Sequence, residues 1–127
     1  MCKIKCHISD GHFLVKKGLK HILSKYDHIE LISDSSHIKE MKSLINEKIP
    51  DVLIVDHKTI GLNDLYELEL ILKECSNMYV LDISDVYTEL EIKAVLHIGI
   101  KGMLLKECDE EEIVQAIEAS VKDERFF

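Results

Sequence analysis

The chain is 127 residues long, 46% apolar and 31% charged, with a formal charge of −8 at pH 7. That length suits one domain with a full hydrophobic core, and the acidic balance argues against direct contact with nucleic acid, whose affinity rests on Lys and Arg neutralising phosphates. The apolar stretches fall well short of the roughly 20 residues needed to span a bilayer, and Met1-Cys2-Lys3-Ile4-Lys5 leads into a strand pattern rather than a signal peptide, so a cytoplasmic location is expected.

Strand and helix patterns alternate along the chain. An apolar run at 3–9 ends at Asp10, and 12–26 then places Val15, Leu19, Ile22 and Leu23 on one helical face. The segment 29–33 alternates like a short edge strand. Residues 36–48 carry the stripe Ile38, Met41, Leu44 and Ile45, and Pro50 stops that helix. The run Val52-Leu53-Ile54-Val55 reads as a strand buried on both faces and ends in Asp56. A Leu-rich helix at 62–75 and a strand at 78–84 that closes on Ser84 follow. The next helix, at 87–98, meets Gly99, a residue suited to a helix C-terminus, and Gly102 opens a strand that stops at Lys106. Asp109 and Glu112 predict a capping box for the last helix, whose stripe is Ile113, Val114, Ile117 and Val121, with Ala116 beside it.

This βα alternation predicts an α/β fold of the flavodoxin-like (βα)5 kind. It is a three-layer sandwich around a five-stranded parallel sheet of order 2-1-3-4-5, with right-handed crossovers. Ligands of such sheets bind outside the carboxyl ends of the strands, in a crevice between strands 1 and 3. Asp10, Asp56, Ser84 and Lys106 all stand at strand ends, and Asp10 and Asp56 would face each other across that crevice. Cys2, Cys6, Cys75 and Cys108 lack a pairing pattern and read as reduced, mostly buried thiols. The 7 histidines show no zinc-like spacing.

The order of these features resembles the receiver domain of bacterial two-component response regulators, over essentially the whole chain. It leans to the LuxR/NarL type. The first loop of those receivers typically reads Asp-Asp-His-Pro-Leu-Val followed by a Gly-Leu pair. This chain has Asp10-Gly11-His12-Phe13-Leu14-Val15, then Gly18-Leu19. The strand 5 signature of small-Gly-aromatic-Leu-Leu-Lys appears as Lys101-Gly102-Met103-Leu104-Leu105-Lys106, and an ending like Gly-Glu-Arg-Tyr-Phe appears as Asp123-Glu124-Arg125-Phe126-Phe127.

The resemblance implies that Asp56 accepts a phosphoryl group from a phosphohistidine on a partner sensor kinase. Ser84 would then hydrogen-bond that group and Lys106 would pair with it. Asp10, Asp56 and the backbone carbonyl of Lys58 would hold Mg2+. It further implies a signalling domain rather than an enzyme, one that acts in transcription regulation through dimerisation or through a DNA-binding output domain absent from this chain. Residues 1–127 would be the N-terminal receiver of a longer regulator. The helix 4, strand 5, helix 5 face would be its interaction surface, with Glu111, Gln115, Glu118 and Lys122 on the exposed side of helix 5.

Several residues depart from the family pattern. Gly11 replaces the second member of the acidic pair, so Mg2+ binding is expected to be weakened or lost. His57-Lys58-Thr59-Ile60-Gly61 stands where Met-Pro-Gly is usual, Met103 replaces Tyr or Phe, and Asp85 replaces a small residue. Asp82 falls on the same strand face as Ser84 and would be costly to bury unpaired. Asp85 is either a solvated loop acid or a replacement for the charge lost at Gly11. Asp10 serves the crevice, caps helix 1, or both, and Ser84 has an alternative role as N-cap of helix 4. His12 is expected to pack near the start of helix 1, and His57 to point away from Asp56. The rival to a phosphorylated receiver is a degenerate one kept as a protein-interaction module. A flavodoxin-type cofactor binder is disfavoured, because Ser9-Asp10-Gly11-His12-Phe13 places an acid where a phosphate-cradling loop would be needed.

Overall fold

The computed structural model describes residues 3–127; Met1 and Cys2 lie outside the described residues. Five parallel strands, β1 (Ile4–Ser9), β2 (Ile29–Ser35), β3 (Val52–Val55), β4 (Tyr79–Ser84) and β5 (Gly102–Leu105), form one sheet in the order β2-β1-β3-β4-β5. The helices are α1 (Phe13–Ser24), α2 (Ile38–Glu47), α3 (Tyr66–Glu74), α4 (Glu89–His97) and α5 (Glu110–Ala119), the last followed by a 3-10 turn, Ser120–Lys122.

The period-two alternation of each strand sorts its side chains onto two cores. Cys6, Ile8, Val52, Ile54, Leu81, Ile83 and Leu104 pack with Leu19 and Leu23 of α1 and Ile113 and Ile117 of α5. Leu53, Val55, Val80 and Met103 pack on the other face with Ile38 and Met41 of α2, Leu68 and Ile71 of α3 and Val95 of α4. Both faces of β3 are therefore buried, which is why its sequence is an unbroken apolar run. β2 is an edge strand, as its short alternating pattern predicts.

The helix ends follow local chemistry. α4 starts at a full capping box, with Thr88 as N-cap and Glu91 reciprocating, and it ends at Gly99, whose φ of +101° is a left-handed position that favours glycine. Thr88, not Ser84, is thus the cap of α4. At α5, Asp109 accepts from the Glu112 amide at 2.9 Å.

Two boundary expectations are corrected. α3 begins at Tyr66 rather than 62, because 57–65 is spent on a turn-rich crossover after β3. The α5 stripe ends at Ile117, and Val121 is 70% exposed, because the helix tightens into the 3-10 turn and rotates that position out of the core. The terminal aromatics differ from each other. Phe126 pairs with Gly102 as an added bridge and packs against the core, whereas Phe127 is exposed.

Candidate functional site

Parallel strands point their carboxyl ends the same way, so Asp10 after β1, Asp56 after β3, Ser84 at the end of β4 and Lys106 after β5 converge on one rim of the sheet. Asp10, Asp56 and Ser84 are buried. Each backbone is anchored to its neighbour strand: the Asp10 amide donates to Ser35, that of Asp56 to Ser9, and that of Lys106 to Ser84. The expected quartet is thus assembled in space.

Asp56 is fully engaged. Its Oδ1 accepts from the Lys58 amide at 3.0 Å and the Ser84 hydroxyl at 3.2 Å, and its Oδ2 takes the Lys106 ammonium at 2.6 Å. Asp10 places Oδ2 3.2 Å from the same ammonium. Its Oδ1 accepts from the His12 amide at 2.7 Å, so Asp10 stabilises the turn into α1, while the N-cap itself is His12. Two buried carboxylates side by side repel each other in a low dielectric, and Lys106 offsets that repulsion. Burial alone would lower the lysine pKa; the hydrogen bond to Asp56 and the charges of Asp56 and Asp10 outweigh it and hold it above its ordinary value.

His12 was not expected in this cluster. Its side chain is half exposed, and its Nδ1 stands 2.9 Å from Lys106 Nζ. An ammonium only donates, so a hydrogen bond at this distance has Nδ1 as the acceptor. The same Nδ1 lies 3.9 Å from Asp10 Oδ1. The spacing of His12 from Asp10 carried no signal for this contact, because its meaning depends on a lysine 94 residues later.

Asp82 resolves as a second buried carboxylate, one strand along. His57 Nδ1 lies 2.9 Å from both of its oxygens, Tyr87 donates to Oδ2 at 2.6 Å, and the His57 amide donates to Oδ1 at 3.1 Å. Ser84 stands 3.4 Å from Oδ2, between the two carboxylate systems. Burial would lower the His57 pKa, but the hydrogen bond and charge of Asp82 raise it. Burial beside Asp82 likewise pushes the Tyr87 hydroxyl far up. His57 thus turns to Asp82, as expected of a side chain directed away from Asp56. Asp85 is exposed on the turn after β4.

Asp10, His12 and Asp56 are a group whose donor atoms all lie within 4.8 Å of one another. Mg2+ requires oxygen ligands in a near-ideal octahedron, and these residues fit it poorly. Among the described residues the two carboxylates have no third in the group, and a Cβ at Gly11 would stand 2.1 Å from the Thr59 carbonyl oxygen. Thr59 also fixes that strip of chain, accepting from the Gly11 amide at 2.9 Å. The space next to Asp10 is therefore occupied by the β3–α3 crossover, and the third donor of the group is an imidazole nitrogen. Lys58 donates its amide to Asp56 Oδ1 at 3.0 Å, and its ammonium goes to Glu91 at 2.7 Å and to the Val86 carbonyl.

No protein-family model matches the chain. Relatives nevertheless align with nearly all of it. The transcriptional regulatory protein DegU of Brevibacillus brevis is 28% identical over 91% of the chain and 49% of its own length. The transcriptional regulatory protein LiaR of Bacillus subtilis is 28% identical over 95% of the chain and 57% of its own length. The chain spans about half the length of these curated relatives. Its fold matches the signal receiver domain of NarL from Mycobacterium tuberculosis with a TM-score of 0.87, at 24% identity over 97% of this chain and 99% of that one. No helix among the described residues is long and apolar enough to cross a membrane.

Proposed function

We propose that this chain, a response-regulator receiver domain of the LuxR/NarL type, accepts a phosphoryl group on Asp56 from a sensor histidine kinase. The single observation that carries this reading is the convergence of Lys106 and Ser84 on the Asp56 carboxylate, at 2.6 Å and 3.2 Å. Phosphoryl transfer asks a protein for positioning and charge neutralisation more than for covalent chemistry. An Asp56 oxygen bonds phosphorus as the P–N bond of the kinase phosphohistidine breaks, and the electron pair stays on the departing imidazole. Lys106, freed from one carboxylate oxygen, follows the charge onto the phosphoryl oxygens, and the Ser84 hydroxyl turns from Asp56 to the new group.

Moving Ser84 and Lys106 alters the ends of β4 and β5, where α4 and β5 also present Leu90, Ile92 and Leu105 to solvent. Such a change shifts a two-state equilibrium at the α4–β5–α5 face and so alters dimerisation or an output domain for DNA binding. Mg2+ affinity is low, for the reasons of fit given above.

Exposure to a small acyl-phosphate donor followed by intact-protein mass spectrometry tests the assignment. A single phosphoryl mass gain that disappears in Asp56→Asn is the expected result; a gain that persists in that variant overturns it. Absence of any gain in the wild-type chain, with binding of a partner intact, favours the second reading, a receiver fold that works through contacts alone. That reading has its own observation, the Thr59 carbonyl filling the space beside Gly11.

A further inference from the structure

We propose that Asp82 is a positioning residue for phosphoryl transfer: it holds back the Ser84 hydroxyl that a phosphoryl group on Asp56 needs, and so limits how fast the chain is phosphorylated. The inference rests on the phosphoacceptor reading of Asp56 and adds to it a residue outside the crevice quartet.

The count of protons is the first ground. A serine hydroxyl has one proton to donate, and two carboxylate oxygens stand within its reach, Asp56 Oδ1 at 3.2 Å and Asp82 Oδ2 at 3.4 Å. All three side chains are buried, and exclusion of water strengthens each attraction. The second ground is that Asp82 is held in place as an acceptor. The His57 amide donates to its Oδ1 at 3.1 Å, the Tyr87 hydroxyl donates to its Oδ2 at 2.6 Å, and His57 Nδ1 lies 2.9 Å from both oxygens. Donors gathered on a carboxylate favour its ionised form. His57 belongs to the crossover after β3 and Tyr87 to the loop before α4. Lys58 ties the same two segments, with its ammonium 2.7 Å from Glu91 and 5.5 Å from the centre of the Tyr87 ring. Asp82 cannot turn from Ser84 without breaking these contacts, so it is a fixed competitor for the hydroxyl.

The competition matters at the transfer step. With a small acyl-phosphate donor, an Asp56 oxygen bonds phosphorus as the donor's P–O bond breaks, and the donor leaves as a carboxylate with the electron pair. Charge spreads over the phosphoryl oxygens, and the Ser84 hydroxyl has to turn to one of them. Its attraction to Asp82 is lost at that moment and adds to the barrier. Asp82→Asn reverses the situation without emptying the site. Its side-chain carbonyl keeps His57, and its amide donates toward Ser84 Oγ, which frees the hydroxyl proton for Asp56 and then for the phosphoryl group. Tyr87 retains an acceptor in the main-chain carbonyl of residue 82, 3.0 Å away.

The test is the rate of phosphoryl mass gain from a small acyl-phosphate donor, in the full chain and in Asp82→Asn, Ser84→Ala, the double variant and Tyr87→Phe, each with native circular dichroism. Asp82→Asn should speed the gain roughly three- to tenfold, the equivalent of one hydrogen bond. That acceleration should vanish in the Ser84→Ala background. Tyr87→Phe should slow the gain about threefold, because Oδ2 without its short donor draws Ser84 harder. A residue that only supported the fold would move Asp82→Asn and Tyr87→Phe in the same direction. Equal rates in the wild type and Asp82→Asn overturn the proposal, and so does an acceleration that survives Ser84→Ala, which assigns the effect to charge alone. If Asp82→Asn does not fold, slowing in Tyr87→Phe that disappears in the Ser84→Ala background supports the proposal, and its absence overturns it. Urea midpoints of the wild type, the two single variants at 82 and 84 and their double form a second cycle that needs no donor. Non-additive midpoints are expected of a shared proton, and additive ones overturn the hold of Asp82 on Ser84. Non-additive midpoints with no mass gain in any variant would sink the phosphoacceptor reading alone and leave that hold standing.

Discussion

The Asp10–Asp56 pair and Asp82 are buried carboxylate systems one strand apart, and their partners behave differently. Asp82 is held by His57 and Tyr87, whose side chains approach from adjoining loops and are themselves largely buried. Every acceptor there is used, so the network can only be broken. Asp10 and Asp56 share one lysine, and their other partners are the Ser84 hydroxyl and the backbone amides of Lys58 and His12. One long side chain shared between two carboxylates can stay with one and release the other. A buried charge becomes usable when its counter-charge is exchangeable, and structural when it is not.

Removing Asp82 should have the largest effect. Asp82→Ala strands a histidine and a tyrosine hydroxyl together and is expected to cost about 3 kcal/mol or more, measured as a drop in urea midpoint. Asp56→Asn should cost about 1 kcal/mol or less, because Lys106 keeps Asp10 and can reach water. Comparable losses in the two variants would abolish the distinction.

His7 offers a third, wholly locked case. It is buried in β1, with its ring nitrogens 2.6 Å and 2.7 Å from the Ser33 and Ser35 hydroxyls. Burial, ahead of the opposing charges of Asp34 and Glu40, lowers its pKa to about 4. The unfolded chain binds that proton near pH 6.5, so His7 supports the fold fully above that value. Its support is lost as pH falls toward 4, a change of roughly 3 kcal/mol. His7→Met should flatten that part of the stability–pH curve; an unchanged slope would place the acid sensitivity elsewhere.

Gly11→Asp sharpens the comparison at the crevice itself. The new Cβ meets the Thr59 backbone oxygen rather than a flexible side-chain end, so about 2 kcal/mol of stability should be lost as the crossover shifts. Mg2+ affinity should rise little, which isothermal titration can read. Tyr87→Phe probes the locked network by its lightest change. It deletes a 2.6 Å hydrogen bond to Asp82 and should cost about 1.5 kcal/mol, visible as a shift in thermal midpoint without change in metal binding.

Much of this protein was determined by the sequence alone. Hydrophobic period set the element order and the two-sided burial of β3, because those depend on residues near each other in the chain, and the sheet order followed from the fold type that five βα units imply. Strand-end positions likewise placed Asp10, Asp56, Ser84 and Lys106 together, since parallel strands share one carboxyl edge. The glycine at position 11 and the chemical oddity of Asp82 were visible in the same way, but their consequences were not. Tertiary structure alone decided that Thr59 fills the space beside Gly11, that His57 and Tyr87 neutralise Asp82, and that His12 meets Lys106. It also turned Val121 out of the core and drew Phe126 alongside Gly102. Each of these joins segments whose relative placement depends on how loops cross the sheet edge. No periodicity within either segment encodes the distance between them.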